Sequence, residues 1–140
     1  MDRREFIKAG CTLCMAVGAG AVISSLSACA SLPVYKTEIA ENKITVPVSL
    51  FAQSNLQIIR ANNYGYDIAL RKEQDETFVA LLMRCTHADN QLISTGNGFT
   101  CSLHGSNFSK EGAVTKGPAE YALKKFGVKK TDDSVVIYLT

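Results

Sequence analysis

This 140-residue chain lacks a surplus of charge of either sign, and that absence excludes one large class of function. Its 15 Lys and Arg face 13 Asp and Glu, a formal net charge of +2. Arg3, Arg4, Lys8, Asp2 and Glu5 all stand before residue 10, which leaves twelve basic and eleven acidic side chains, or +1, for the remainder. Nucleic-acid binding needs a concentrated basic face, so no nucleic-acid partner is expected. Beyond residue 33 there is no helical periodicity longer than two turns, no internal repeat, no low-complexity segment and no nucleotide-binding glycine motif. Histidine is scarce. The chain has 2, His87 and His104, and each stands within three residues of a cysteine. With 46% apolar and 20% charged residues, the chain is not disordered, and its length suits one small domain.

The N-terminus reads as an address. A charged start, Met1 to Lys8, precedes a stretch without charge from Ala9 to Tyr35 that is rich in Ala, Gly and Ser. A charged n-region, an apolar run and a small-residue exit form the secretory pattern. The Arg3-Arg4 pair followed by Phe6, Ile7 and Lys8 resembles a twin-arginine signal, with Asp2 where Ser or Thr is commoner. The exit, Leu26-Ser27-Ala28-Cys29, resembles a bacterial lipobox, in which cleavage precedes the cysteine and Cys29 is then acylated. Several acyl chains hold a protein at a membrane where one is marginal. The expected division is a signal peptide over 1–28, a tether over 29–36 and a domain over 37–140. The alternative is a retained N-terminal transmembrane anchor, since the uncharged stretch is long enough to span a bilayer. Both place the body outside the cytoplasmic membrane, facing the periplasm. Cys11 and Cys14, inside the leader, read as small apolar residues.

The body reads as strands and turns. Ile44, Val46, Val48 and Leu50 alternate with polar residues and Pro47, the period of a half-buried strand that Pro47 assigns to an edge or a bulge. Leu56–Ala61 and Tyr66–Arg71 flank Asn62-Asn63-Tyr64-Gly65 as a hairpin. Thr77–Arg84 is an almost continuous apolar run, suited to a strand buried on both faces, and it leads directly into Cys85. Further short strands are expected at Phe99–Cys101, Ala113–Thr115, Leu123–Val128 and Val135–Leu139. Frequent short strands between turns predict an all-β sandwich or barrel.

Two segments carry the chemistry: Cys85-Thr86-His87 and Cys101-Ser102-Leu103-His104, with thirteen residues between His87 and Cys101. Each offers one thiolate and one imidazole beside a strand end. Four such donors suit tetrahedral zinc or an iron–sulfur cluster. After His104 come Gly105-Ser106, Phe108, Gly112 and Gly117-Pro118-Ala119. With these the sequence resembles the Rieske family, whose pattern is Cys-x-His, a spacer and Cys-x-x-His, over roughly residues 35 to 140. The resemblance implies an antiparallel β-sandwich with a small cluster-binding subdomain formed by two loops. It implies one [2Fe-2S] cluster, with Cys85 and Cys101 on one iron and His87 and His104 on the other. Ser106 would donate its hydroxyl to a cluster sulfur, and the Gly-Pro-Ala loop would shield the group. Two departures stand out: Asn90 and Leu103 occupy the places of a disulfide found in high-potential members, and Phe108 replaces a tyrosine. Both predict a potential below that of quinol-oxidising relatives.

The leader and the cofactor agree, because a twin-arginine route exports folded, cofactor-loaded domains. The expected function is single-electron transfer to or from a redox protein partner, a cytochrome or an oxidoreductase subunit, by a membrane-anchored carrier. The alternatives are the Rieske subunit of a quinol–cytochrome c oxidoreductase or of a periplasmic oxidoreductase such as arsenite oxidase. A stand-alone catalyst is not expected, and a structural zinc module would be colourless. Lys124, Lys125, Lys129 and Lys130 read as a solvated strand face that could also steer an acidic partner.

Overall fold

Three segments apolar on both faces set the architecture. The computed structural model describes residues 32–140. One sheet runs in the order β1 (Val34–Thr37), β3 (Leu56–Ala61), β4 (Ile68–Lys72), β5 (Phe78–Leu82), β10 (Lys125–Lys130), β11 (Ser134–Tyr138) and β2 (Lys43–Pro47). A second, smaller sheet runs in the order β6 (Ile93–Ser94), β7 (Gly98–Thr100), β8 (Asn107–Ser109) and β9 (Val114–Lys116).

Side chains alternate across a strand, and β3, β4 and β5 use both faces. Ile59, Ile68, Leu70 and Ala80 join Ile44, Val46, Phe126, Val135 and Ile137 in one core. Ile58, Ala69, Leu81 and Met83 face the other way, onto Phe99 and Phe108 of the small sheet and onto Cys85 and Cys101. Since β2 and β11 share a core with β3 and β4, the large sheet folds over on itself and supplies both layers of a sandwich. The Thr77–Arg84 run is apolar because its strand is covered on both sides. The domain is all-β, as expected.

The β3–β4 hairpin forms around the Asn62–Gly65 turn, with Asn63 at φ 63° and Gly65 at φ 86°, a left-handed conformation that Asn and Gly tolerate. β2 is an edge strand, one of the two placements Pro47 allowed, but it ends at that proline. Val48–Ala52 form a 3-10 helix where the alternation predicted more strand. Proline has no amide to extend the ladder. The next amide, Val48, bonds the Asp133 carbonyl at 2.9 Å, and the tightened turn buries Phe51. A second difference is β1, which lies parallel to β3 while the other strand pairs are antiparallel. Val34 to Lys36, read on sequence as tether, are in this strand. Four residues of mixed character carry too little periodicity to mark a strand, and pairing with the free edge of β3 supplies what they lack. The same brevity hides β6 and β8.

The signal peptide with Arg3 and Arg4, the lipobox and Cys29 lie outside the described residues. Among the described residues no helix is long and apolar enough to cross a membrane.

Candidate metal centre

Two hairpin loops, each opening on a cysteine, are built alike. The first leaves β5 through Met83, whose carbonyl takes the Leu92 amide at 2.9 Å, and closes with Cys85 N–H donating to the Asn90 carbonyl at 2.8 Å. The Asp89 amide returns to the Cys85 carbonyl at 3.0 Å. The second connects β7 to β8: Cys101 N–H donates to the Ser106 carbonyl at 2.8 Å, and the Gly105 amide returns to the Cys101 carbonyl at 3.0 Å. The residue four positions after each cysteine takes a positive φ, 51° at Asp89 and 78° at Gly105. Glycine adopts this conformation freely and aspartate tolerates it better than most. Asp89 is held there from outside by Tyr66, whose hydroxyl donates to its carbonyl at 2.5 Å, and by Arg84, whose Nε donates to its carboxylate at 2.7 Å. Gly98, at the start of β7, has its own reason: a Cβ there would collide with the Phe108 carbonyl across the small sheet.

The loops bring the four predicted residues together in two pairs, cysteine with cysteine and histidine with histidine. Cys85 and Cys101 are buried, 0% and 1% exposed, and neither is in a disulfide. His87 and His104 are exposed, with ring centroids 5.2 Å apart and planes at 78°. Burial pushes the Cys101 thiol up, but the amides of Leu103 and His104, the Cys85 thiol and the Asn90 amide bond its sulfur and outweigh that, leaving it below the ordinary thiol range. A lowered thiol favours the thiolate, the form that binds metal.

A third loop, residues 117–123, ties both hairpins down. The Ala119 amide donates to Ser106 Oγ at 3.0 Å, and Thr86 Oγ1 donates to the Tyr121 carbonyl at 2.6 Å. Ser106 is fully buried. Its oxygen is an acceptor for Ala119, which leaves its own hydrogen to be donated elsewhere. Ser106→Ala is therefore expected to strand a buried amide and cost about 1–3 kcal/mol of stability, read as a lowered denaturation midpoint. Retention of the wild-type midpoint would refute it. Sequence reasoning missed Thr86 and Asp89. Asp89 has a signal in retrospect, since it stands four residues after its cysteine, as Gly105 does.

The four candidate donors fall into two pairs, Cys85 and Cys101 buried and His87 and His104 exposed. Among the described residues no group of three or more His, Cys, Asp or Glu side chains stands together. Two soft thiols and two imidazoles are donors that an iron–sulfur cluster can take.

A folded-over β-sheet domain that presents paired Cys and His loops defines a small cluster-carrying protein. The chain belongs to the Rieske [2Fe-2S] domain family, whose model matches residues 41–127. This domain carries one Rieske-type [2Fe-2S] cluster and serves electron transfer. Curated proteins compared by sequence gave no match. Among solved structures, the fold is similar to the cyanobacterial plasma membrane Rieske protein PetC3 from Synechocystis PCC 6803, with TM-score 0.57 and 19% identity over 67% of this chain and 97% of that one. It is also similar to a chain in the complex of reduced oxygenase and oxidized ferredoxin of carbazole 1,9a-dioxygenase, with TM-score 0.53 and 19% identity over 71% and 95%. The quaternary ammonium Rieske monooxygenase CntA gives TM-score 0.57 and 22% identity over 72% of this chain, which spans only 33% of the monooxygenase.

Proposed function

We propose that Cys85 and Cys101 hold one iron of the cluster, and His87 and His104 the other. The protein then passes single electrons to or from a redox protein partner outside the cytoplasmic membrane. The observation that carries this reading is the split in exposure: buried cysteines lie under two solvent-facing histidines. The thiol side excludes water, and the histidine side lets a partner approach. Leu103 and Tyr121, 57% and 71% exposed, offer apolar contact beside the histidines. Two neutral imidazoles in place of thiolates make the cluster less negative and easier to reduce. Ser106 and the third loop hold the ligand hairpins in place.

Export and anchoring rest on Arg3-Arg4, on the Leu26–Cys29 lipobox and on the need to move a loaded domain across a membrane folded. The anchor is acylated Cys29, and the localisation is the cell envelope. The partner is a cytochrome or an oxidoreductase subunit. A second reading, as a subunit of a quinol–cytochrome c or another periplasmic oxidoreductase, shares the site and the anchor. Against the quinol reading stand buried Phe108, which brings no hydroxyl, and Asn90 and Leu103, which cannot form a disulfide.

Anaerobically purified protein is expected to be red-brown, to contain iron and acid-labile sulfide, and to give a rhombic resonance once reduced. Its midpoint potential by protein-film voltammetry is expected below that of quinol-oxidising Rieske proteins. Colourless protein without sulfide after reconstitution would sink the ligand assignment, and a potential as high as theirs would restore the quinol reading.

A further inference from the structure

Asn90 closes the first loop, yet its side chain leaves that loop. Its Nδ2 lies 3.7 Å from Cys101 Sγ in the second loop, within reach of a hydrogen bond to sulfur, and 3.2 Å from the Gln91 carbonyl oxygen. A carbonyl oxygen only accepts, and so does a thiolate. The two hydrogens of the amide nitrogen serve both acceptors, and this fixes which way the amide faces. Through its own carbonyl the same residue accepts the Cys85 amide at 2.8 Å. One half-buried residue therefore touches both cysteines, one through its main chain and the other through its side chain.

Its neighbours hold it still. Asp89, on one side, is fixed by Tyr66 and Arg84. Gln91, on the other, accepts the Asp67 amide on Oε1 at 3.0 Å, and the Asp67 carboxylate is itself held by Nε and Nη2 of Arg60 at 2.8 and 2.7 Å. A donor with anchored neighbours keeps its position when the charge on its acceptor changes, so its effect is not spent on rearrangement.

We propose that Asn90 raises the cluster's reduction potential, by donating its side-chain N–H to Cys101 Sγ and so stabilising the more negative sulfur of the reduced state. Cys101 as an iron ligand is the assignment made above, and the inference rests on it. A donor to sulfur bonds the electron-rich state more strongly, because hydrogen bonds to charged acceptors are the stronger ones. Hydrogen bonding to cluster sulfurs is one of the levers on such potentials. Asn90 is thus a positioning residue with an electrostatic effect, acting through a ligand without touching a substrate.

The test compares cluster-loaded, full-length wild type with Asn90→Leu by protein-film voltammetry, after iron and sulfide have been assayed in each. Leucine keeps the size and removes both donor hydrogens without adding charge. The one-electron equilibrium is expected to move toward the oxidised state by up to tenfold, a fall of up to about 59 mV, with the rhombic resonance retained. Asn90→Asp keeps the shape, removes the donor and turns a carboxylate toward the sulfur, so its potential is expected to fall further. An unchanged potential in either loaded variant overturns the proposal. Loss of iron from both variants, with the sheets intact by circular dichroism, makes Asn90 a loop closure alone and overturns it too. Absence of iron and sulfide from the wild type is a different failure, that of the ligand assignment.

Discussion

Cys101→Ser is expected to yield a colourless protein, without acid-labile sulfide and without a rhombic resonance. Cys101 lies where the two hairpin loops meet. It is 1% exposed, opens the second loop, and receives the Leu103 and His104 amides, the Asn90 amide and the Cys85 thiol at its sulfur. Serine preserves the shape of the loop, and its hydroxyl can accept the same donors, so the fold should survive. It does not supply the soft anionic donor that an iron–sulfur cluster needs, because thiolates select such clusters while a hydroxyl stays protonated. The assay is iron and sulfide per chain, with far-ultraviolet circular dichroism as the control for folding. Iron content equal to that of the wild type would remove Cys101 from the ligand set.

The other large effect lies one layer below. Leu81→Ala is expected to lower stability by about 2–5 kcal/mol, the range for emptying a buried leucine site. Leu81 is 2% exposed and stands where β5 meets the small sheet, in the core that includes Cys85 and Cys101. The turn at Gly112 rests on it. A Cβ added at Gly112 would come within 3.1 Å of Leu81 Cδ2 and 3.2 Å of Leu123 Cβ, so the turn is in close contact with both leucines. Leu81 also lines a cavity of about 290 Å³ with Leu56, Ala69, Val79 and Phe99, and truncation would enlarge it. Urea denaturation of wild type and variant measures the loss. The variant should also release iron faster, because both ligand loops are seated on this core. A loss well under 1 kcal/mol would mean that the layer collapses onto the gap, against the close packing described here.

How much of this was legible in the chain depends on the distance over which each signal acts. The β3–β4 hairpin was readable because strand patterning and the turn chemistry of Asn62, Asn63 and Gly65 act over a few residues. The missing amide at Pro47 left β2 an edge position or a bulge, and the sheet takes the first. The four Cys and His residues stood out because their spacing within each loop is local and because histidine is otherwise absent. The end of β2 at Pro47, the 3-10 helix after it and the parallel pairing of β1 were not readable. Each depends on a partner, Asp133 or β3, that the local sequence does not name.

The same division runs through the site. Residue types and loop spacing alone singled out Cys85, His87, Cys101 and His104 as the candidate donors and placed them in an all-β frame. Only the tertiary structure decided which groups hold those donors: Ala119 reaches Ser106 across 13 residues, Thr86 reaches Tyr121 across 35, and Asn90 reaches Cys101 across 11. A turn or a strand is selected by the torsions and faces of neighbouring residues. A hydrogen bond between loops exists only after two sheets have packed and brought their ends together.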